Sequence, residues 1–282
     1  MIQFGCVPNA SPVDSGKASV VVSIEPQKFF VSEIVGDKID VEVLVPTGKE
    51  PETYVPTPEQ IKKLSKCRIF FRVGFPTEET FLPKLKTLIP GLQVVDTRDG
   101  IAIRNLDAHA HHDHDHNHDV HSGADPHIWL SPSLVKQQLR HIVAAIVELD
   151  PENKGFYEKN AEKFANELDD AITEITEILA VHQGETIYVF HPAYGYFCDE
   201  FGLKQKAIEL DGKSPKPQEL AKLIQQAKAD GVKTILVQPE FNPAPAEKIA
   251  TEIGAKAVVH SPLGSNYVHD LIELAKVIAN NR

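Results

Sequence analysis

Histidine marks one internal segment of this chain. Seven of the 13 histidines lie within residues 109–121, interleaved with three aspartates. Imidazole is a good ligand for zinc, copper and nickel, and the carboxylates add negative charge. Because no apolar face repeats through the segment, it predicts a mobile surface loop over about residues 107–122, with several weak and exchangeable metal sites.

Three other segments place a possible metal ligand beside a proline, whose fixed φ and missing N–H stiffen the backbone. They read Gly48-Lys-Glu-Pro-Glu52-Thr-Tyr, Asp125-Pro-His127-Ile-Trp-Leu-Ser-Pro and Phe190-His191-Pro-Ala-Tyr-Gly-Tyr. A stiff loop holds its side chains in position before an ion arrives. We therefore expect an ordered metal site to draw on these three segments, and the His-rich loop to bind ions more weakly.

Short β-branched runs alternate with helical patterns through both halves of the chain. In the first half, strand patterns lie at residues 20–24, 41–45, 69–73 and 93–95, and helical patterns at 26–35, 57–64 and 78–88. In the second half, strand patterns lie at residues 186–190, 207–210, 234–237 and 257–259, and helical patterns at 217–229, 244–253 and 268–279. This alternation predicts α/β structure with mainly parallel sheets.

Residues 156–181 lie between the halves and carry apolar side chains at helical spacing, without glycine or proline. At 1.5 Å per residue, such a helix is roughly 40 Å long, enough to run down two small lobes. The predicted fold class is thus α/β, with two lobes, each with a mainly parallel sheet and flanking helices, joined by one long spine helix. Because parallel sheets bind ligands at the carboxyl ends of their strands, we expect a ligand cleft between the lobes.

The predicted domain organisation follows from these patterns. It comprises a flexible tether over residues 1–17, an N-terminal lobe over 18–150 that includes the His-rich loop, a linking helix over 151–182 and a C-terminal lobe over 183–282. A chain of 282 residues with 42% hydrophobic residues is long enough to bury two cores. Its net charge of -11 argues against a nucleic-acid partner.

The three cysteines are far apart and form no CxxC pair, so the sequence indicates neither a thiolate zinc site nor a disulfide framework. Cys6 precedes a stretch rich in Pro, Ser, Gly and Asn, which predicts a lipid-modified cysteine followed by its tether. The match to a lipobox is imperfect, and no charged start and apolar run precede Cys6. The alternative to a lipid anchor is therefore that the residues around Cys6 match this pattern by chance.

The motifs around His127 and His191, in this order and on either side of a long helix, resemble those of the metal-binding substrate-binding proteins of bacterial zinc and manganese ABC importers. The similarity covers residues 20–279 and is to the cluster A-I proteins of zinc-uptake type, which carry a His-rich loop. It implies two α/β lobes with the metal between them and a small domain closure. It also implies that a periplasmic or extracellular monomer captures zinc, or a similar divalent metal, and delivers it to the permease of an ABC importer.

The chain departs from that family pattern at two corners of the implied metal site. Glu52 stands where the first-lobe motif normally has a histidine, and Ser261, beside His260, stands where the last-lobe motif normally has an aspartate. A histidine lost at one corner and gained at the opposite one would leave one carboxylate and three imidazoles. The predicted ligands are then Glu52, His127, His191 and His260, a set that suits zinc better than manganese.

Two alternatives to these ligands stay open. Glu50 could replace Glu52, because both lie in the same proline-containing segment. Glu240, at another predicted strand end, is the reserve for the fourth corner, because neighbours along a strand point to opposite faces and His260 could look away from the site.

The sequence favours a carrier over an enzyme. It contains no HExxH motif and no Gly-x-Ser-x-Gly motif, although Glu52 beside a metal could act as a base in a zinc-dependent hydrolase. A metal-storing or adhesive surface lipoprotein is the other alternative, because it would share the His-rich loop. The two-lobed architecture favours delivery.

Overall fold

The computed structural model describes residues 16–106, 123–209 and 216–280. Cys6 and the His-rich segment at residues 107–122 lie outside the described residues. The lipid anchor and the metal-binding loop therefore stay predictions.

The first lobe is built on a four-stranded parallel sheet with the strand order β2-β1-β3-β4. Its strands are β1 (Ser19–Val22), β2 (Asp40–Val43), β3 (Ile69–Arg72) and β4 (Gln93–Asp96), and its flanking helices are α1 (Glu25–Val35), α2 (Pro58–Leu64) and α3 (Pro76–Leu88). The central strands β1 and β3 are almost entirely buried, as expected for β-branched and aromatic runs covered on both faces.

Two consecutive helices lead out of the first lobe. Helix α4 (Pro132–Leu149) packs on α1, and the 26-residue helix α5 (Lys154–Leu179) packs on α1 and α4 and, on the other side, on the last helix of the chain. The buried stripe of α5 contains Phe164, Leu168, Ile175 and Leu179. Helix α5 is therefore the predicted spine, with its apolar side chains shared between the lobes.

The second lobe repeats the topology of the first, with four parallel strands in the order β6-β5-β7-β8. Its strands are β5 (Thr186–Val189), β6 (Lys204–Ala207), β7 (Thr234–Val237) and β8 (Lys256–Val259), and its helices are α6 (Gly195–Glu200), α7 (Pro217–Ala229), α8 (Ala244–Ile253) and α9 (Tyr267–Asn280). The α/β fold with two lobes and a long joining helix is confirmed.

One predicted strand is misplaced. The strand expected at residues 207–210 lies at Lys204–Ala207, on an edge of the second sheet, and its polar sequence hides it from a search for apolar runs. The apolar residue that suggested the later position, Ile208, is buried just beyond the strand.

Trp129 ties the two lobes together beside the cleft. Its indole Nε1 donates a hydrogen bond to the carbonyl of Pro262 at 2.8 Å, and its own carbonyl accepts one from the Tyr267 hydroxyl at 2.6 Å. The Tyr267 ring in turn packs edge-on against Phe30, with 4.6 Å between ring centroids. Within the described residues, no helix combines the length and apolar character needed to cross a membrane.

Candidate metal site

Three side chains that could bind a metal meet between the lobes. Glu52 lies in the connection after β2, His127 immediately precedes the short 3₁₀ turn Ile128–Leu130, and His191 follows β5. Each offers one donor atom, and the three atoms lie within 4.8 Å of one another. The structure thus brings together three of the four predicted ligands.

The Glu52 loop is held by the first turn of α3. Thr77 donates a hydrogen bond from its hydroxyl to the carbonyl of Pro51 at 3.1 Å, and Pro51 itself is buried. The Glu52 side chain keeps 25% of its surface exposed, against 4% for His127 and 8% for His191. Glu52 is therefore the donor nearest to solvent.

His127 is oriented by Asp125, two residues before it. The carboxylate accepts from the His127 backbone N–H at 3.0 Å and contacts the ring Nδ1 at 2.8 Å, while Arg104 balances its charge at 3.0 Å. Asp125 is fully buried. With the proton on Nδ1 shared with the carboxylate, the lone pair of Nε2 points into the cleft, which is the usual arrangement of a metal-binding histidine.

His191 is oriented in the same way, by a carboxylate from a different strand. Glu209, just beyond β6, contacts the His191 Nδ1 at 2.6 Å. Gln238, just beyond β7, accepts from the His191 backbone N–H at 3.1 Å and donates to its carbonyl at 2.8 Å. Phe241 stacks on the imidazole with 4.8 Å between ring centroids. His191 is thereby fixed on three sides.

The three donor atoms have the spacing of metal ligands. The two Nε2 atoms of His127 and His191 are 3.3 Å apart, and Glu52 Oε1 is 3.5 Å from each of them. Three atoms at these separations are all about 2 Å from one common point, which matches zinc–nitrogen and zinc–oxygen bond lengths of ~2.0–2.2 Å. Two imidazole Nε2 atoms this close repel each other unless a proton or a metal ion lies between them.

The charges around this point also favour a cation. Burial alone would lower the pKa of His191, but its contacts with Glu209 and Glu52 outweigh burial and raise that pKa to about 10. Burial would raise the pKa of Glu52, but the hydrogen bond from His191 and the charges of both histidines lower it below its usual value. The site is therefore built to hold positive charge.

A small cavity surrounds the three donor atoms. Its volume is about 20 Å³, enough for a single ion or water molecule. Its walls include the apolar side chains of Phe75, Trp129, Phe241 and Leu263, which exclude solvent and strengthen electrostatic contacts inside.

His260 does not join the cluster. Its Nδ1 lies 3.1 Å from the Tyr194 hydroxyl and its Nε2 lies 3.2 Å from the carbonyl of Asp270, so both ring nitrogens are engaged away from the three donors. The ring leaves the end of β8 on the side facing α9, and burial lowers its pKa. Without it the cluster has two imidazoles, so the preference for zinc inferred from three imidazoles has no support from this geometry.

The two reserve residues both line the cavity. Glu50 contributes to the wall, and its Oε2 accepts a hydrogen bond from the Thr53 hydroxyl at 3.0 Å. Glu240 faces the cavity from the second lobe, outside the group of three donors. Asp125 and Glu209, which orient the two histidines, were given no role by the sequence analysis. Asp125 lies inside a quoted motif, whereas no sequence signal marks Glu209.

Two lobes on a long helix, with imidazole and carboxylate donors at coordination spacing in the cleft, define a two-lobed metal-binding protein. Comparison with known proteins gives the family. The family model described as zinc-uptake complex component A, periplasmic, matches residues 20–281.

Individual relatives agree with this match. The chain is 36% identical over 255 residues to a high-affinity zinc uptake system protein ZnuA of Bacillus subtilis, covering 88% of this chain and 79% of the relative. It is 30% identical over 280 residues to the protein of the same name from Yersinia pestis, covering 93% and 88%. A solved structure described as the crystal structure of ZnuA superposes with a TM-score of 0.87 at 35% identity, covering 94% of this chain and 99% of that one. The chain belongs to the family of zinc-uptake complex component A.

Proposed function

We propose that this protein captures one zinc ion, or a similar divalent transition metal, between its lobes and delivers the ion to the permease of an ABC importer. The proposal assigns Glu52, His127 and His191 as ligands. The observation that carries it is the 3.3 Å approach of two buried imidazole Nε2 atoms, each with its Nδ1 on a carboxylate. Membership of a zinc-uptake family and a cavity that fits a single ion support the same function.

A carrier accounts for this site better than a hydrolase does. A catalytic zinc needs an open coordination position and space for a substrate beside the ion. The cavity of about 20 Å³ accommodates an ion or a water molecule, and apolar side chains form much of its wall. These features support a protein that encloses its cargo and performs no reaction. Membership of the zinc-uptake family favours delivery over storage or adhesion alone.

The family description supports action outside the cytoplasmic membrane, in the periplasm or an equivalent extracellular space. There the protein works as a monomer beside its permease. An anchor through a lipid on Cys6 is part of this proposal, and Cys6 lies outside the described residues.

The ligand assignment is tested by titrating zinc against a competing chelator. The variant with both His127→Ala and His191→Ala should lose tight one-to-one binding, because two of the three donors are gone. His269→Ala, whose histidine lies in α9 away from the cluster, is the matched control and should bind as the parent does. Full tight affinity in the double variant would refute the site.

Deletion of residues 107–122 tests the separation of the ordered site from the His-rich loop. Elemental analysis should show fewer zinc ions per chain, while the strongest affinity stays within about tenfold of the parent, or ~1.4 kcal/mol. A loss of several orders of magnitude would mean that the loop supplies a primary ligand.

A further inference from the structure

Glu240 has a buried carboxylate oxygen with no partner. It follows β7 by three residues and lines the same cavity as Glu52, His127 and His191. Its Oε2 is shielded from solvent and has no hydrogen-bond partner among the described residues. Glu240 as a whole is half-buried, but this oxygen is removed from solvent without a partner, which favours a cation or a donor in the cavity.

The other oxygen of Glu240 is held in place. The Ser261 hydroxyl donates to Glu240 Oε1 at 2.9 Å, and the same hydroxyl oxygen accepts from the Leu263 N–H at 3.1 Å. This contact joins the ends of β7 and β8 and leaves Oε2 without a partner. Ser261 therefore acts as a positioning residue for the carboxylate.

The turn that carries Glu240 is also locked to the His191 loop. Gln238, before Glu240, forms hydrogen bonds with the His191 backbone. Phe241, after Glu240, stacks on the His191 ring. The backbone at Glu240 is thus fixed relative to a donor of the cluster. Because Glu240 lies outside the group of three donors in this structure, its side chain must move toward the ion when the ion binds.

We propose that Glu240 is the fourth metal ligand, so that each lobe contributes one imidazole and one carboxylate. This inference rests on the proposed function and replaces His260 at the fourth corner. It changes the expected selectivity as well. Carboxylates suit manganese better than imidazoles do, so two carboxylates and two imidazoles form a site that accepts Mn²⁺ in addition to Zn²⁺.

The test measures the affinity for Zn²⁺ alone and for Mn²⁺ alone in the parent, Glu240→Gln and Glu240→Ala. Glu247→Gln, an exposed glutamate on α8, is the matched control and should match the parent. We expect Glu240→Ala to lower Mn²⁺ affinity by roughly 100-fold, the upper end of the ~10–100-fold loss seen when even an outer-shell partner is removed, and Zn²⁺ affinity by about tenfold. Glu240→Gln keeps the shape of the side chain and should show the same selectivity change, which separates loss of a ligand from loss of folding.

The possible results separate this inference from the proposed function. If the parent binds neither metal tightly, the proposed function fails. If the parent binds zinc tightly and Glu240→Gln equals it for both metals, only the Glu240 assignment fails. An equal loss for both metals also overturns the assignment, because a purely structural role would not distinguish between them.

Discussion

The two lobes have the same sheet topology but supply the site from different strands. In the second lobe, His191 and Glu240 follow the central strands β5 and β7. In the first lobe, Glu52 follows the edge strand β2, and His127 comes after the other edge strand, β4, by a long connection.

The central strands of the first lobe end in a structural ion pair instead of ligands. The hydroxyl of Ser23, just after β1, donates a hydrogen bond to the Glu78 carboxylate, which also accepts one from the Gly74 N–H at 2.7 Å. The Arg72 Nε lies 3.3 Å from the same carboxylate. Burial raises the pKa of Glu78, and the Ser23 hydroxyl, the backbone N–H groups of Gly74 and Val73, and Arg72 oppose that effect. The same topological place therefore stabilises one lobe and carries the proposed metal ligands in the other.

This difference predicts how firmly each ligand is fixed. Strand ends at the centre of a sheet are held by hydrogen bonds to both neighbours, whereas a loop ligand depends on a few contacts of its own. We infer that the second lobe presents His191 and the Glu240 backbone in fixed positions, and that the first lobe completes the site with its more exposed donor, Glu52.

The largest effect should come from Glu52, since it is the one negatively charged donor in the group of three. Glu52→Gln should lower zinc affinity by ~100-fold or more, at or beyond the range for losing an outer-shell partner. Chelator competition at fixed pH measures this loss, with Glu59→Gln, an exposed glutamate on α2, as the control. If the variant binds zinc like the parent, Glu52 is an ordinary loop residue and the first lobe supplies no carboxylate ligand.

Exchange of the two orienting carboxylates for amides compares the lobes directly. Asp125→Asn and Glu209→Gln should each lower zinc affinity by ~10–100-fold, because each histidine loses basicity and a fixed orientation. Isothermal or chelator titrations of both variants give the two losses side by side. If neither variant weakens binding, the carboxylate–histidine pairs serve the fold alone.

Between about pH 6.5 and 10, the pH dependence of stability should come from His191, whose pKa, despite burial, is raised by Glu209 in its own lobe and by Glu52 in the other. His191 has a folded-state pKa of about 10, above the value of ~6.5 expected when unfolded, so its contribution is full below about pH 6.5 and is lost as pH rises through about 10. The metal-free protein should therefore lose at least ~2 °C in Tm across this window. Glu209→Gln should flatten the change, and Asp125→Asn should keep it. Equal curves for the parent and Glu209→Gln would contradict the assigned cause.

The smallest effect on binding should come from His260. His260→Ala should leave zinc affinity within about tenfold of the parent. It should destabilise the fold by ~1 kcal/mol, because the contacts of the imidazole with the Tyr194 hydroxyl and the Asp270 carbonyl are lost, although Tyr194 keeps its hydrogen bond to the backbone carbonyl of residue 260. Thermal unfolding and zinc titration of the same sample separate these two outcomes. A large loss of affinity would return His260 to the site and displace Glu240.

The fold was predictable where apolar periodicity is strong. Helices α7 and α8 and strand β7 lie at the predicted bounds, and the spine helix differs by two residues at each end. Strand β6 was misplaced because an edge strand with the sequence Lys-Gln-Lys-Ala lacks an apolar signal. Helix α4, with 18 residues, was not among the predicted elements.

The site was predictable where the ligand and its stiff neighbour are adjacent in sequence. Proline next to His127 and His191 marked both positions. The direction of the His260 ring depends on how the end of β8 meets α9, and the Glu209 contact joins residues 18 positions apart, so neither follows from local sequence. The sequence predicted Glu240 only as a reserve ligand, because the lack of a partner for its Oε2 is visible only in the structure.

Trp129 gives the protein an optical reporter of its own. It is the single tryptophan of the chain, it is 1% exposed, and its ring lies 5.1 Å from that of His127 while its Nε1 bonds across to Pro262. All indole fluorescence therefore originates at the boundary of the lobes, beside the ion's position. Quenching and spectral shifts in the unlabelled protein report directly on that boundary.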